Sequence, residues 1–398
     1  MKVLHVVQRY GAEVAGGAEA YCRMLSERLA RRGHTVEVVT TCAVSYVDWA
    51  NEYPPGPTEI EGVTVHRMPV RRPRHEELFA ALNHRVLAGG RQPSFLVQEE
   101  WMRMQGPDAP GVRDFVAEES GRFDLVAFFT YLYATTYYGI GASRVPVVLH
   151  PLAHDEPPLY VPLLDVPVRS ADGFAFVTPE EQELVLRRFG VEDRPHSVVG
   201  IGTDLDVTAD PDLFRQQSGL GDRPYVVVVG RVDPGKGARE LYDMWVTYKR
   251  RRPGPLALVV VGEAVTTLDP HPDVLMTGFV DEDVKHSAVA GAVALVQPSY
   301  FESFSMVVTE AWALRRPVLV QGRCAVLRGQ CERAQGGIPY EGYAEFETAL
   351  DLLLEEPELA TALGETGRAY VERTYDWNVI LDRYERLMQR VARDRVLR

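Results

Sequence analysis

Two short apolar runs, Val293-Ala294-Leu295-Val296 and Pro317-Val318-Leu319-Val320, enclose a stretch that opens Gln297-Pro298-Ser299-Tyr300-Phe301-Glu302 and closes Glu310-Ala311-Trp312-Ala313. Each run has the length of a buried strand, and the residues from Ser305 onward have helical spacing. A strand, loop, helix and strand in that order commit the chain to a parallel sheet covered by helices. The helix should start near Ser305, with its hydroxyl as N-cap, and turn its first N–H groups toward whatever lies above the sheet. Such a helix end receives anions. Glu302 falls on the loop and Glu310 little more than a turn into the helix, where side chains lean back toward the N-terminus, so both carboxylates can face one ligand. A phosphate at a helix start, with two carboxylates beside it to accept hydrogen bonds from sugar hydroxyls, describes a nucleotide-sugar site. Two glutamates at this spacing are more often solvated surface charges, so the reading needs a second anchor.

That anchor is Gly230-Arg231-Val232-Asp233-Pro234-Gly235-Lys236-Gly237, which follows the strand Tyr225 to Val229. It nearly matches the phosphate loop G-x-x-x-x-G-K-[ST], but Gly237 replaces the hydroxyl that would hold Mg²⁺, which weakens an ATPase reading. Arg231 and Lys236 instead bring two fixed positive charges to one loop, able to hold a diphosphate without a metal. The chain opens with a comparable unit: a strand from Val3 to Val7, a glycine-bearing loop, a helix from Ala18 to Arg32 closed by Gly33, and a strand from Val36 to Thr40. Ligands of such sheets bind beyond the carboxyl ends of the strands, which puts Arg9, Gly16, Gly17 and Glu19 at the mouth of a site. No G-x-G-x-x-G is present in that loop, so a dinucleotide cofactor loses its support.

The two anchors together resemble the E-x7-E and G-R-x-x-x-x-K-G signatures of retaining GT-B glycosyltransferases, those of family 4 especially. The resemblance implies a GT-B fold of two doubly wound Rossmann-like α/β domains facing each other across a cleft, with the acceptor mainly on the first and a nucleoside-diphosphate sugar on the second. It implies that Arg231 and Lys236 hold the diphosphate, that Glu302 binds the sugar and Glu310 the ribose, and that Gly16 and Gly17 lie against donor phosphates and acceptor. Phe304, Ser305 and Met306 line the donor site in the same implied arrangement, and Val280, in Gly278-Phe279-Val280-Asp281, lies where the base is contacted through backbone. Ser305 departs from the Gly of many relatives and adds bulk beside the donor, which leaves the sugar open.

His154 in His150-Pro151-Leu152-Ala153-His154-Asp155 matches the histidine that such enzymes place near the anomeric carbon. The alternative, a metal held by His150 and His154, is opposed by Pro151 and by Pro157-Pro158, which break the helix that would carry both rings. No metal and no cofactor are expected, and in such enzymes the departing phosphate oxygen takes the acceptor's proton. Two other readings share the motifs: a sugar-nucleotide epimerase or hydrolase, which would release nucleoside diphosphate without an acceptor, and a non-catalytic binder, which would have no use for the four charges.

A net charge of −13, from 43 Lys+Arg against 56 Asp+Glu, speaks against nucleic acid as partner. The four cysteines form no C-x-x-C pair and suggest free thiols in a reducing compartment. With no signal-like segment and no spanning segment, the expected location is the cytoplasm, with room for peripheral contact with a membrane. The expected domains are 1–203 on the acceptor side, 204–375 for the nucleotide sugar, and a helix in 376–398 that GT-B enzymes commonly return to the first domain. The segment 75–106 reads as a polar, partly helical stretch packed onto the sheet, while the family resemblance implies that an insertion of this kind helps choose the acceptor; the tyrosines of 130–138 read as packing residues, and 206–223 as a polar crossing.

Overall fold

The structure is a computed structural model that describes every residue except Ala15, Arg91, 231–233, 264–267 and 397–398. The described chain divides into two compact units, Met1–Gly200 with Leu381–Arg398, and Ile201–Ile380.

The first unit opens with β1 (Lys2–Val6), α1 (Gly17–Arg31), β2 (Thr35–Thr41), β3 (Gly56–Ile60) and β4 (Val63–Met68). Helices α2 (Glu76–Leu87), α3 (Phe95–Gln105) and α4 (Pro110–Glu119) lead to β5 (Leu125–Phe129), α5 (Ala134–Gly139) and β6 (Val147–His150). Then come α6 (Asp165–Ser170), β7 (Gly173–Phe176), α7 (Pro179–Phe189) and β8 (His196–Val198). The sheet order is β3-β4-β2-β1-β5-β6-β7-β8, parallel throughout except for β3, which lies antiparallel on β4. All five residues of β5 are buried, as a strand covered on both faces must be. β3 is a strand that the sequence reading lacks. Its outer position lets it carry Pro57 and mostly exposed residues, so it has no apolar signal.

The second unit contains α8 (Pro211–Ser218), β9 (Tyr225–Val229), α9 (Ala238–Arg251), β10 (Ala257–Val261), β11 (Val274–Gly278), α10 (Glu282–Ala290) and β12 (Leu295–Gln297). It continues with α11 (Met306–Ala313), β13 (Val318–Gln321), α12 (Ala325–Ala334), β14 (Gly337–Tyr340), α13 (Tyr343–Glu355) and α14 (Pro357–Thr374). Its sheet is parallel, in the order β11-β10-β9-β12-β13-β14. Counted from β9 this is 3-2-1-4-5-6, the doubly wound order, with its reversal between β9 and β12. The polar crossing is corrected here: 206–223 contains α8, capped by Asp210, whose side chain accepts a hydrogen bond from the Leu213 N–H.

The last helix, α15 (Trp377–Val396), begins in the second unit and belongs to the first from Leu381 onward. Within the first unit its Tyr384, Leu387, Met388 and Val391 are buried, and Tyr384 O–H lies 3.1 Å from His150 Nε2. His150 is thus the buried end of β6, stacked on Phe129 with ring centroids 4.3 Å apart, and not a residue of the following loop. The tyrosine-rich segment also packs: Tyr137 and Tyr138 both donate to the carboxylate of Glu99 on α3. The four cysteines are buried free thiols. No helix among the described residues is long and apolar enough to cross a membrane.

Candidate functional site

In the second unit, the loops that leave β9 and β12 meet where the strand order reverses. Lys236, half-exposed, places Nζ 2.8 Å from Oε1 of the nearly buried Glu302. Lys236 and Gly237 reach this position because the chain turns through a left-handed residue there. Gly237 has φ 71°, and a Cβ on it would lie 2.3 Å from the Pro298 carbonyl oxygen. The residue that replaces the metal-holding hydroxyl is therefore required by the backbone itself. Arg231, the loop's second cation, lies outside the described residues.

Helix α11 starts at Met306, and its beginning corrects the sequence reading of Ser305. Ser305 does occupy the cap position, but at φ 71° its hydroxyl makes no capping bond. It accepts instead from Gln297 Nε2 at 2.9 Å, tying the helix start to the end of β12. The α11 N-terminus thus has no side-chain cap of its own. The Phe304 ring is buried against Tyr375, centroids 4.9 Å apart, so it serves the core. Val280 is half-buried after β11, next to Phe279, which is 80% exposed.

Glu310 faces a group that the sequence reading missed. Lys285 on α10 is nearly buried, with Nζ 3.0 Å from Glu310 Oε2 and 2.6 Å from Glu282 Oε2. Burial opposes the ammonium, but Glu310 and Glu282 outweigh it and hold its pKa above the ordinary lysine value. Ligand atoms of Glu282, His286 and Glu310 lie within 4.8 Å of one another. The lysine ammonium is already paired with both carboxylates, and burial lowers the His286 pKa. The signal that could have found Lys285 is a lysine one turn after the acidic helix start Asp281-Glu282-Asp283, though nothing in the pattern says that it turns inward.

In the first unit, the loop after β1 is held by a buried cluster. Arg9 bonds Glu19 through Nε at 2.8 Å and Nη2 at 2.5 Å, and Gln8 Nε2 reaches the same oxygen at 2.8 Å. Arg9 also donates to the Val44 carbonyl and lies over the ring of Tyr46. Arg9 and Glu19 are therefore internal braces. Gly16 lies against this pair: a Cβ there would be 2.3 Å from Glu19 Oε2. Gly17 opens α1, and a Cβ on it would meet nothing within 4 Å.

His154 is half-buried on the loop after β6, its Nδ1 3.3 Å from Glu156 Oε1. Asp155 is taken by Tyr160, whose hydroxyl donates at 2.5 Å. The loop turns through Leu152 at φ 51°, and the next residue, Ala153, donates its N–H to Glu181 Oε1 at 2.8 Å. Glu181 is a second residue that the sequence reading missed. Its signal is the capping pattern Thr178-Pro179-Glu180-Glu181, in which a glutamate three residues after the N-cap turns back toward backbone N–H groups.

A family profile described as Glycosyl transferases group 1 matches residues 210–370, and one described as Glycosyl transferase 4-like domain matches residues 16–202. A D-inositol 3-phosphate glycosyltransferase of Segniliparus rotundus is 28% identical over 409 residues, covering 94% of this chain and 84% of the relative. An MMP alpha-(1->4)-mannosyltransferase of Mycolicibacterium hassiacum is 23% identical over 95% of this chain and 96% of its own. Among solved structures, sucrose-phosphate synthase from Thermosynechococcus elongatus superposes with a TM-score of 0.70 at 21% identity over 98% of each chain. HepE of Anabaena, in complex with UDP-glucose, gives 0.70 at 18% identity over the full length of both.

Proposed function

Because the chain belongs to the family 4-like glycosyltransferases of GT-B fold, we propose that it moves a sugar from a nucleoside diphosphate to an acceptor hydroxyl, with retention at the anomeric carbon and without a metal. The observation that carries this is the Lys236–Glu302 pair, 2.8 Å apart at the loops after β9 and β12. A cation fixed beside a carboxylate at the switch point is what a diphosphate with a sugar attached would need. Lys236, with Arg231, stabilises the charge that grows on the departing diphosphate. Glu302 accepts hydrogen bonds from the sugar and Glu310 from the ribose, while His154 shapes the anomeric site. Metal independence is supported by the Lys285 ammonium, which pairs with both carboxylates of the Glu282, His286 and Glu310 group.

The acceptor is a hydroxyl on a polar, polyol-like or saccharide molecule, as the names of the relatives suggest. The protein works in the cytoplasm, where its buried thiols stay reduced.

The test is product analysis. Nucleoside-diphosphate sugars are offered in excess chelator with polyol phosphates and saccharides as acceptors, and the products are read by mass spectrometry and by the anomeric proton coupling in NMR. An α-linked product from an α-donor supports the proposal. Loss of activity on chelation with rescue by Mn²⁺ or Mg²⁺ removes metal independence, an inverted linkage removes retention, and release of nucleoside diphosphate without any acceptor product favours a hydrolase or epimerase.

A further inference from the structure

Glu181 is fully buried at the start of α7, yet its carboxylate serves two other stretches of chain. Oε2 accepts the Val177 N–H at 2.7 Å, at the end of β7, and Oε1 accepts the Ala153 N–H at 2.8 Å, on the loop after β6. In an ordinary capping box the glutamate at this position returns to the N-cap N–H of its own helix. Here the Thr178 hydroxyl still accepts from the Glu181 N–H at 3.2 Å, so the helix keeps one half of the box. The carboxylate also reaches the residue that precedes His154.

We infer that Glu181 is a positioning residue for sugar transfer, holding His154 in place by gripping the backbone of the left-handed turn immediately before it. This rests on the proposed role of His154 at the anomeric carbon. A carboxylate can accept both N–H groups at once, whereas a neutral acid must aim its O–H somewhere and loses one of the two. Burial raises the Glu181 pKa to about 7, against the pull of the Val177 and Ala153 N–H groups and of His154. The titratable groups that face it are His154 from the loop and Tyr21 from α1. The grip on the loop therefore tightens as pH rises through about 7.

The test is the pH profile of turnover in Glu181→Gln, with Thr178→Ala and His154→Ala measured in parallel. An amide would offer one acceptor and set an N–H against the other donor. Turnover in E181Q should fall roughly 10²-fold, as for a small misplacement of a reacting group. Donor KM should stay within about twofold, since the diphosphate contacts are untouched, and the acidic limb near pH 7 should disappear. T178A should lower Tm while keeping both turnover and the limb. Wild-type turnover and an unchanged limb in E181Q, however far its Tm falls, would overturn the inference, as would a T178A variant with the same kinetic defect. A dead H154A beside an unaffected E181Q refutes only the role of Glu181, whereas a fully active H154A refutes the role of His154 as well. Should E181Q not fold, hydrogen exchange at the Ala153 amide of the wild-type chain decides: protection that rises through pH 7 after correction for intrinsic rates supports the grip, and flat protection overturns it.

Discussion

Lys236 is the residue on which the proposed transfer most depends, and its half-exposed position separates function from stability. Lys236→Ala should cost several kcal/mol of transition-state stabilisation, a turnover loss of roughly 10²-fold or more, because charge builds on the diphosphate as the glycosidic bond breaks. Its Tm should stay near that of the wild type; near-normal kcat would remove the diphosphate role. Gly237→Ala tests the neighbouring backbone. With φ at 71° and the Pro298 oxygen 2.3 Å from the new Cβ, it should cost about 1–3 kcal/mol and lower turnover by shifting Lys236. Lys285→Met should leave Glu310 without its cation and raise donor KM roughly tenfold, about one charge-assisted hydrogen bond.

Glu181 gives stability a pH dependence of definite sign. Its pKa is raised on folding from 4.5 to about 7, so its stabilising contribution is full below about pH 4.5 and is lost as pH climbs through about 7. The Tm of the wild type, measured against E181Q from pH 5 to 8, should fall over that window; a constant difference would contradict the shift. The Glu302 and Glu310 spacing was legible because it follows a strand pattern. Lys285 and Glu181 were not, because a charge that turns inward looks in sequence like any charge on a polar helix face. Ser305 was placed but misread: cap residues are assigned from preferred chemistry, and here the left-handed backbone at φ 71° sends the hydroxyl to Gln297.

At the scale of elements, the buried parallel strands were the easiest to read. The strand read from Tyr225 to Val229 is β9 with the same bounds, and α7 runs from Pro179 to Phe189. Both carry their own punctuation, a valine run in one case and Thr-Pro followed by a left-handed Gly190 in the other. β3 was illegible because an edge strand needs no apolar face, and α8 because Pro211 at its first turn reads as a loop signal when it is in fact a helix start. Helix α15 lies in the expected segment 376–398, and Trp377 anchors its beginning at 8% exposure. A Cβ on Gly202 would lie 2.2 Å from that ring, so the packing is close. Trp377→Ala should therefore cost about 3–5 kcal/mol, read as a lower denaturation midpoint with unchanged m-value. An unaltered midpoint would show that the ring contributes nothing to the fold.

For the whole molecule, each unit repeats one solution: a doubly wound sheet whose order reverses between two strands, β1 and β5 in the first, β9 and β12 in the second. A loop leaving such a reversal is where side chains from distant parts of the sequence can meet, as Lys236 and Glu302 do across 65 intervening residues. Alternating short strands and helices made this architecture readable in outline. Donor and acceptor identity were not readable, because the base contacts that the family resemblance implies run through backbone and would leave no trace in residue type. The most direct measurement is thermal shift of the full chain against a panel of UDP, GDP, ADP and TDP sugars, run on the wild type, Lys236→Ala and Glu302→Ala. Ligand at about 100 times Kd should add about 2.7 kcal/mol of stability. The account predicts that at least one nucleotide sugar stabilises the wild type and that both variants lose most of the effect; no stabilisation by any of them, or an equal shift in both variants, would contradict it.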